Sequence, residues 1–369
     1  MPTPRKALVF GPAYIDRVLL VDRPLVNPTL GRTIDRSVTG EWVDMSFPFE
    51  SILITGLAEG DTEIEPPPGW PGPTGFISAG DEPNVGDSPE LLSVRGVDWH
   101  DDLGGMGPGF ASALGGTLRL LVGDDSDPIR ARVLDRLRAA GIAHRPTVVP
   151  GRLGEWTLLV TSGEHGDKLA IGFRDGSPAD FAADPVDDGP CDLLVAASMT
   201  NRRAAWALER IDARVKLFAP ALRNMADLDP KVSAFARHID ILSCNAVEWA
   251  TLADREEVAW RVSILAVTDG PRGATVRYTN PVGDAGLLTI PAFPRRRPPV
   301  DTNRAGEAFA AALTTALLDA GWTPGPAADD LVRLAATRAS AASALVLDRA
   351  DFGFPTAEEV DRALRDGIV

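Results

Sequence analysis

The sequence predicts an α/β fold: a doubly wound, mainly parallel sheet flanked by helices. Three observations carry that expectation. Short apolar runs ending in small or polar residues recur along the chain, including 'DLLVAAS' from 192, 'VKLFAP' from 215, 'IDILSCN' from 239 and 'SILAVTDG' from 263. Strands covered on both faces read as such continuous runs, whereas half-exposed strands alternate. Helical patterns lie between the runs, which completes the alternation of a parallel sheet. Finally, 369 residues with 44% hydrophobic and 24% charged side chains can bury a sizeable core, which excludes disordered, collagen-like and coiled-coil classes.

Taken in order, Lys6 to Phe10 form a short apolar run closed by Gly11-Pro12, which suits a buried first strand; the chain then turns to Asp16. From Asp22 to about Asp102 proline, glycine and acidic residues dominate, with 'PPPGWPGPTG' at 66–75 and pieces such as 'FESILITGL' at 49–57 between them. This predicts loops and short strands, read either as a variable surface insertion or as a lid over a site. Gly104 to Gly109 lead into an apolar helix; 'LRLLVGDD' at 118–125 reads as strand and turn, and 'IRARVLDRLRAAGI' as an amphipathic helix ended by Gly141. 'WTLLVTS' and 'KLAIGF' are expected to continue the alternation as a two-strand unit. Ligands of such sheets bind beyond the carboxyl ends of the strands. That places Asn245, Thr268, Gly270 and the loop before the last long helices on the functional edge.

Charge and motifs narrow the function. With 52 acidic against 37 basic side chains the net charge is −15, which repels phosphate backbones and anionic lipid. Arg295-Arg296-Arg297, bracketed by prolines, reads as a short exposed loop, so no nucleic-acid partner is expected. Cys191 and Cys244 stand far apart without a CxxC, which indicates neither a disulfide framework nor structural zinc and suits a reducing, cytoplasmic compartment. No run is long and apolar enough for a signal peptide or a membrane span. None of the four lysines follows a glycine, so a GxxxxGK[ST] phosphate loop does not occur; HExxH and GxSxG are missing too. 'GMGPGF' at 105–110 is a poor dinucleotide fingerprint, because Phe110 takes the third glycine's place and no first strand is expected to feed into it.

The most informative segment is 'DTNRAGEAF' at 301–309, which opens an alanine- and leucine-rich helix running to about Asp319. A helix start gathers free backbone N–H groups and the positive end of the dipole, and so can hold a phosphoryl group in its transition state. Glu307 sits in that first turn, as a capping charge or as a reacting carboxylate. On these motifs the sequence resembles the ribokinase-like PfkB family of carbohydrate and nucleoside kinases. 'DTNRAGEAF' is similar to the family's D-T-x-G-A-G-D-x-F. 'GGMGPGFASALGGTLRLLVGDD' is similar to its N-terminal signature, Asn245-Ala246-Val247-Glu248 to its N-x-x-E, and Thr268 to Gly273 to its T-x-G-x-x-G. The opening 'GPAYIDRVLLVDRPL' and the closing 'AATRASAASALVLDRADFGFPTAEEVDRAL' also look like the family's ends, and only residues of roughly 27–100 lie outside the resemblance.

The resemblance implies a single ribokinase-like domain over 1–369, with 17–100 as an atypical insertion contributing a small β lid and extra loops. It implies transfer of the γ-phosphoryl of ATP to a hydroxyl of a small sugar-like or nucleoside-like metabolite. Magnesium would bridge the phosphates, a monovalent cation such as potassium is a further candidate, and the lid offers a homodimer contact. Glu307 would be the base, one methylene longer than the family's aspartate. Backbone amides of Arg304, Ala305 and Gly306 would form the anion hole, provided the φ of Arg304 permits it; its guanidinium could instead contact phosphate. Asp16, Gly104, Gly105, Gly109 and Asp301 would hold the acceptor; Asn245, Thr268, Gly270 and Gly273 the nucleotide; and Asn245 with Glu248 the metal. Beside these roles stand plainer ones. Asn245 and Glu248 also make a helix N-cap, Gly270 and Gly273 turn residues, Asp301 a cap and Asp16 a solvated turn carboxylate.

Met106 and Gly109 stand where the family commonly has polar sugar contacts, which implies an unusual acceptor or replacement contacts from the insertion, where Trp42, Trp70 and Trp99 could stack. A degenerate member binding nucleotide or metabolite without turnover is the alternative, and a scaffold for subunit interaction a third reading.

Overall fold

The computed structural model describes residues 6–21, 42–43, 51–57, 60–64, 74–78, 91–152, 154–162, 167–173, 189–297, 299, 303–349 and 352–369. Two sheets organise them. The larger has nine strands in the order β17-β16-β15-β14-β13-β12-β1-β8-β9. In chain order these are β1 (Ala7–Phe10), β8 (Thr117–Val122), β9 (His144–Val148), β12 (Cys191–Ala197), β13 (Ala213–Ala219), β14 (Ile241–Asn245), β15 (Ile264–Thr268), β16 (Ala274–Thr279) and β17 (Ala285–Ile290). From β9 through β15 every pairing is parallel, and β16 and β17 close one edge antiparallel.

Central strands are apolar throughout because both faces are covered. In β1, Ala7 and Val9 enter one core while Leu8 and Phe10 enter the other, as the period of two requires. On the first face lie α1 (Met106–Leu114), α2 (Pro128–Ala139), α6 (Ala305–Asp319) and α7 (Asp329–Val346); on the second lie α3 (Asn201–Arg210) and α5 (Arg255–Arg261), with α4 (Ala246–Thr251) after β14 and α8 (Ala357–Asp366) closing the chain. Alanine and serine on α7 (Ala335, Ala336, Ala339, Ser340) let it lie close against α6 and the sheet. Phe10, Phe110, Phe218 and Phe235 are fully enclosed, each contributing about 1.5–3 kcal/mol of burial free energy.

The second sheet runs β3-β6-β11-β10-β2-β7-β4-β5. Its strands are β2 (Tyr14–Val21), β3 (Trp42–Val43), β4 (Ser51–Leu57), β5 (Gly60–Ile64), β6 (Thr74–Ser78), β7 (Leu91–Gly104), β10 (Trp156–Ser162) and β11 (Asp167–Phe173). The expectation for 'WTLLVTS' and 'KLAIGF' is corrected here. They form a two-strand unit, but β10 pairs with β2 and belongs to this sheet rather than the parallel one. The second sheet is therefore larger than residues 17–100 supply. A strand does feed the glycines at 104–105, since β7 ends at Gly104; it is an antiparallel partner of β2, not a Rossmann first strand. Arg295 is also less exposed than a loop reading implies, because its guanidinium pairs with Asp348.

Candidate active site

The first turn of α6 is built on an unusual residue. Arg304, at its N-cap, has φ 69° and ψ −1°, the left-handed region that favours glycine; such a backbone costs an arginine about 1–2 kcal/mol. It turns the chain so that the helix begins abruptly, with Ala308 N donating to Arg304 O at 2.9 Å. The amides of Ala305, Gly306 and Glu307 precede the first carbonyl able to receive them within the helix. Gly306 itself is exposed, and a Cβ placed on it would meet nothing within 4 Å. The Ser343 hydroxyl donates to Ala305 O at 2.8 Å, fastening this turn to α7. The guanidinium of Arg304 turns inward, with Nη1 3.7 Å from Asp102 Oδ2 and its carbon 5.4 Å from the Phe352 ring centre.

Glu307 faces α1. A Cβ on Gly109 would lie 3.3 Å from Glu307 Cγ and 3.3 Å from Phe354 Cζ, so these two side chains already fill the space a residue at 109 would use. At the start of the same helix, a Cβ on Gly104 would lie 2.4 Å from Asp16 Cγ: the Asp16 carboxylate rests on glycine backbone. Gly105 has φ 92° and sits against Pro12 O, where a Cβ would approach to 2.3 Å. Asp16, Gly104, Gly105, Gly109 and Glu307 are thus gathered where β2, β7 and α1 meet α6. Asp301 and Trp70 lie outside the described residues, as do the side chains of Trp42 and Trp99. Met106 packs into the core.

The nucleotide candidates form a second group. Asn245 and Thr268 end adjacent parallel strands in register. Asn245 caps α4: its Oδ1 accepts from Glu248 N at 2.8 Å and its own N donates to Glu248 Oε2 at 2.8 Å, the reciprocal box expected of this spacing. Thr268 Oγ1 donates to Cys244 O at 3.4 Å. Burial pushes the Cys244 thiol well above its usual range, which makes it a filler rather than a nucleophile. Gly270 has φ 50° and Gly273 φ 96°. A Cβ at 273 would fall 2.1 Å from Ile290 O, so only glycine fits. Asp269 and Arg272 form two 2.6 Å contacts across that turn.

Across the carboxyl edge of the large sheet, then, Asn245, Thr268, Gly270 and Gly273 lie at β14–β15, while the cluster of Asp16, Gly104 and Gly109 packs toward β1. α6 packs on β13, β14 and α1, and so reaches both groups. Among the described residues no group of three or more histidine, cysteine or carboxylate side chains could hold a metal. Sequence reasoning missed Phe354, Phe352 and Asp102, which fix Gly109 and Arg304; no local pattern marks them, because they arrive from β7 and from beyond α7.

The mainly parallel sheet with its flanking helices matches the ribokinase fold. The chain belongs to the pfkB family of carbohydrate kinases, whose family model matches residues 117–357. No curated protein matches it in sequence. Among solved structures, it resembles the ribokinase of Giardia lamblia (18% identity, TM-score 0.65, 98% of this chain and 99% of that one). The ribokinase of Thermotoga maritima is similar as well (16%, TM-score 0.60, 98% and 99%). So is the nucleoside kinase of Burkholderia thailandensis in complex with inosine (17%, TM-score 0.60, 98% of each). At these identities the likeness carries the fold. No helix among the described residues is long and apolar enough to cross a membrane.

Proposed function

We propose that this chain transfers the γ-phosphoryl of ATP to a hydroxyl of a small sugar-like or nucleoside-like metabolite. The observation that carries the reading is the meeting of Glu307 with Gly109 in the first turn of a helix that is open at Gly306, where a Cβ would meet nothing within 4 Å. The acceptor oxygen attacks the γ-phosphorus as its proton passes to the Glu307 carboxylate. A new P–O bond forms, the bond to the β,γ-bridging oxygen breaks, and its electrons leave on ADP. The amides of Ala305, Gly306 and Glu307 face the charge developing on the transferred group, and because they are fixed in a helix they need no reorganisation to do so. The glutamate's additional methylene is accommodated because residue 109 carries no side chain. Asp16 would orient the acceptor.

Asn245, Thr268, Gly270 and Gly273 would hold the nucleotide. Asn245 and Glu248 offer one amide and one carboxylate, a donor set that suits magnesium, which keeps waters and phosphates as its other ligands. When bound, magnesium neutralises phosphate charge; potassium is a further proposed ion. The chain would work as one ribokinase-like unit in which the second sheet covers the acceptor, with its outer strands available to a second copy. Buried free thiols at Cys191 and Cys244 suit a reducing, cytoplasmic setting.

The test is ADP release with MgATP and a panel of sugars, sugar acids, nucleosides and polyols, alongside Glu307→Gln. Acceptor-dependent release is expected, lowered at least ~100-fold in the variant with ATP affinity retained. Nucleotide binding without release for any acceptor would favour a binding protein without turnover.

A further inference from the structure

The carboxyl edge of the large sheet carries a second cleft that the groups above do not occupy. It opens where β1, β8 and β12 end, between the first turns of α2 and α3. Val133, Leu134 and Leu137 bury α2 on one face of the sheet, and Ala204, Ala207 and Leu208 bury α3 on the other. β1 and β12 are neighbours, and α1 and α3 lie on opposite faces of the sheet; such a switch leaves a crevice, which is where open α/β sheets bind ligands.

Its lining is strongly cationic for a chain of net charge −15. Four arginines, Arg130, Arg152, Arg203 and Arg223, face it beside two carboxylates, Asp127 and Glu155. Glu155 is engaged by the buried Arg152 at 2.6 Å. Arg130 reaches Asp125 at 2.5 Å, but that carboxylate is 98% exposed, so the pair is weak. Arg223 donates to Ser198 O, and Ser198 ends β12 with φ 45°, a left-handed backbone that is rare outside glycine. The first turns of α2 and α3 add partial positive charge.

Asp127 supplies the opposite chemistry. One oxygen caps α2, accepting from Ile129 N at 3.0 Å. The other, Oδ2, is buried and has no hydrogen-bond partner among the described residues. The cavity measures about 80 Å3, several times the ~10–15 Å3 one water needs. That is room for several water-sized groups, enough for a carboxylate or phosphate and its adjoining hydroxyls. Pro12 and Ala13 line it, and Pro12 O accepts from Gly107 N at 3.3 Å. The cleft therefore adjoins the acceptor cluster and lies across β13 from the nucleotide group.

We infer that the acceptor is a hydroxylated anion, a sugar acid or sugar phosphate. Its anionic end is held by Arg130, Arg203 and Arg223, and the reacting hydroxyl extends toward Glu307. The inference rests on the kinase reading in calling the anion the acceptor and in its last clause; the binding of an anion in the cleft does not. It also accounts for Met106 and Gly109: an acceptor anchored by its charge needs fewer contacts there.

Two measurements on the full chain separate the inference from the kinase reading. The first is ADP release with matched acceptors: glucose against gluconate, ribose against ribose 5-phosphate. The second is calorimetric binding of gluconate, ribose 5-phosphate and inorganic phosphate without nucleotide. Each is run on the wild type, Arg203→Gln, Arg130→Gln and Arg203→Lys, with ATP affinity as the control for folding. The charged acceptors are expected to be preferred, with KM raised at least tenfold in both glutamine variants, kcat nearly unchanged, and Arg203→Lys partly restored; losing one charge-assisted hydrogen bond predicts a factor of roughly 10–100. Gluconate preferred over ribose 5-phosphate, or the reverse, tells which anion the cleft takes. Anion binding lost in the variants without turnover of any acceptor would retain the cleft and overturn the kinase reading. Neutral acceptors turned over as well as charged ones, with anion binding missing or insensitive to both glutamine variants, would overturn the cleft.

Discussion

Replacing Arg304 by glycine and by alanine isolates the conformational cost of the turn that opens α6. Both substitutions remove the same guanidinium, with its 3.7 Å approach to Asp102 and its contact with Phe352, so those losses cancel in the comparison. What differs is the backbone at φ 69°. Alanine there costs about 1–2 kcal/mol relative to its ordinary conformations. Glycine avoids that cost but loses roughly 0.5–1 kcal/mol of chain entropy on folding. The net is Arg304→Gly more stable than Arg304→Ala by up to about 1.5 kcal/mol, read from urea midpoints at equal m-values. Because glycine keeps the turn, it is also expected to retain ATP affinity. Alanine the more stable would show that residue 304 does not hold the left-handed turn and that the proposed anion site at Ala305–Glu307 is misplaced.

Other consequences are open to measurement. Gly273→Ala sets a Cβ 2.1 Å from Ile290 O at φ 96°, and is expected to destabilise by more than about 2 kcal/mol and to weaken ATP binding; a calorimetric affinity equal to wild type would contradict the placement of the nucleotide. Gly109→Ala requires Glu307 and Phe354 to yield by a few tenths of an ångström from 3.3 Å contacts; kcat is expected to fall about tenfold or more while ATP affinity holds, and an unchanged kcat would detach Glu307 from the chemistry. Burial raises the Asp240 carboxyl from 3.8 to about 6. The folded chain therefore holds that proton more tightly than the unfolded one, and stability from this group is present below pH 4 and lost as pH rises to about 6. Asp240→Asn keeps an acceptor for Lys216 N, and is expected to be more stable than wild type above pH 6 by up to about 3 kcal/mol, with the gap closing by pH 4; a gap that does not vary with pH would refute the cause.

The parallel strands were legible because burial on both faces leaves an unbroken apolar run, as in β12 and β14. Where a run pairs was not. β10 and β11 look like any buried strands, yet a hairpin can join either sheet, and its partner β2 lies about 140 residues away. The site glycines were legible for a physical reason: Gly104, Gly105 and Gly273 sit where a Cβ would strike backbone or a carboxylate. The left-handed turn at Arg304 could be posed only as a condition, since nothing in an arginine announces a positive φ. Asn245 and Glu248 take up the capping reading, and the same box leaves them at the strand end, where the proposed metal role would need them. The arginine cleft was invisible in one dimension. Arg130, Arg152, Arg203 and Arg223 are scattered in sequence and meet only because β8, β1 and β12 are neighbours.

The most direct test of phosphoryl transfer follows the phosphorus itself. 31P NMR of the chain with MgATP and each acceptor of the panel is expected to show the γ-phosphorus signal replaced by a phosphomonoester of the acceptor, in equal measure with ADP, and to show no such signal with Glu307→Gln. Loss of ATP to ADP and inorganic phosphate alone, or an ester formed equally by Glu307→Gln, would contradict the account.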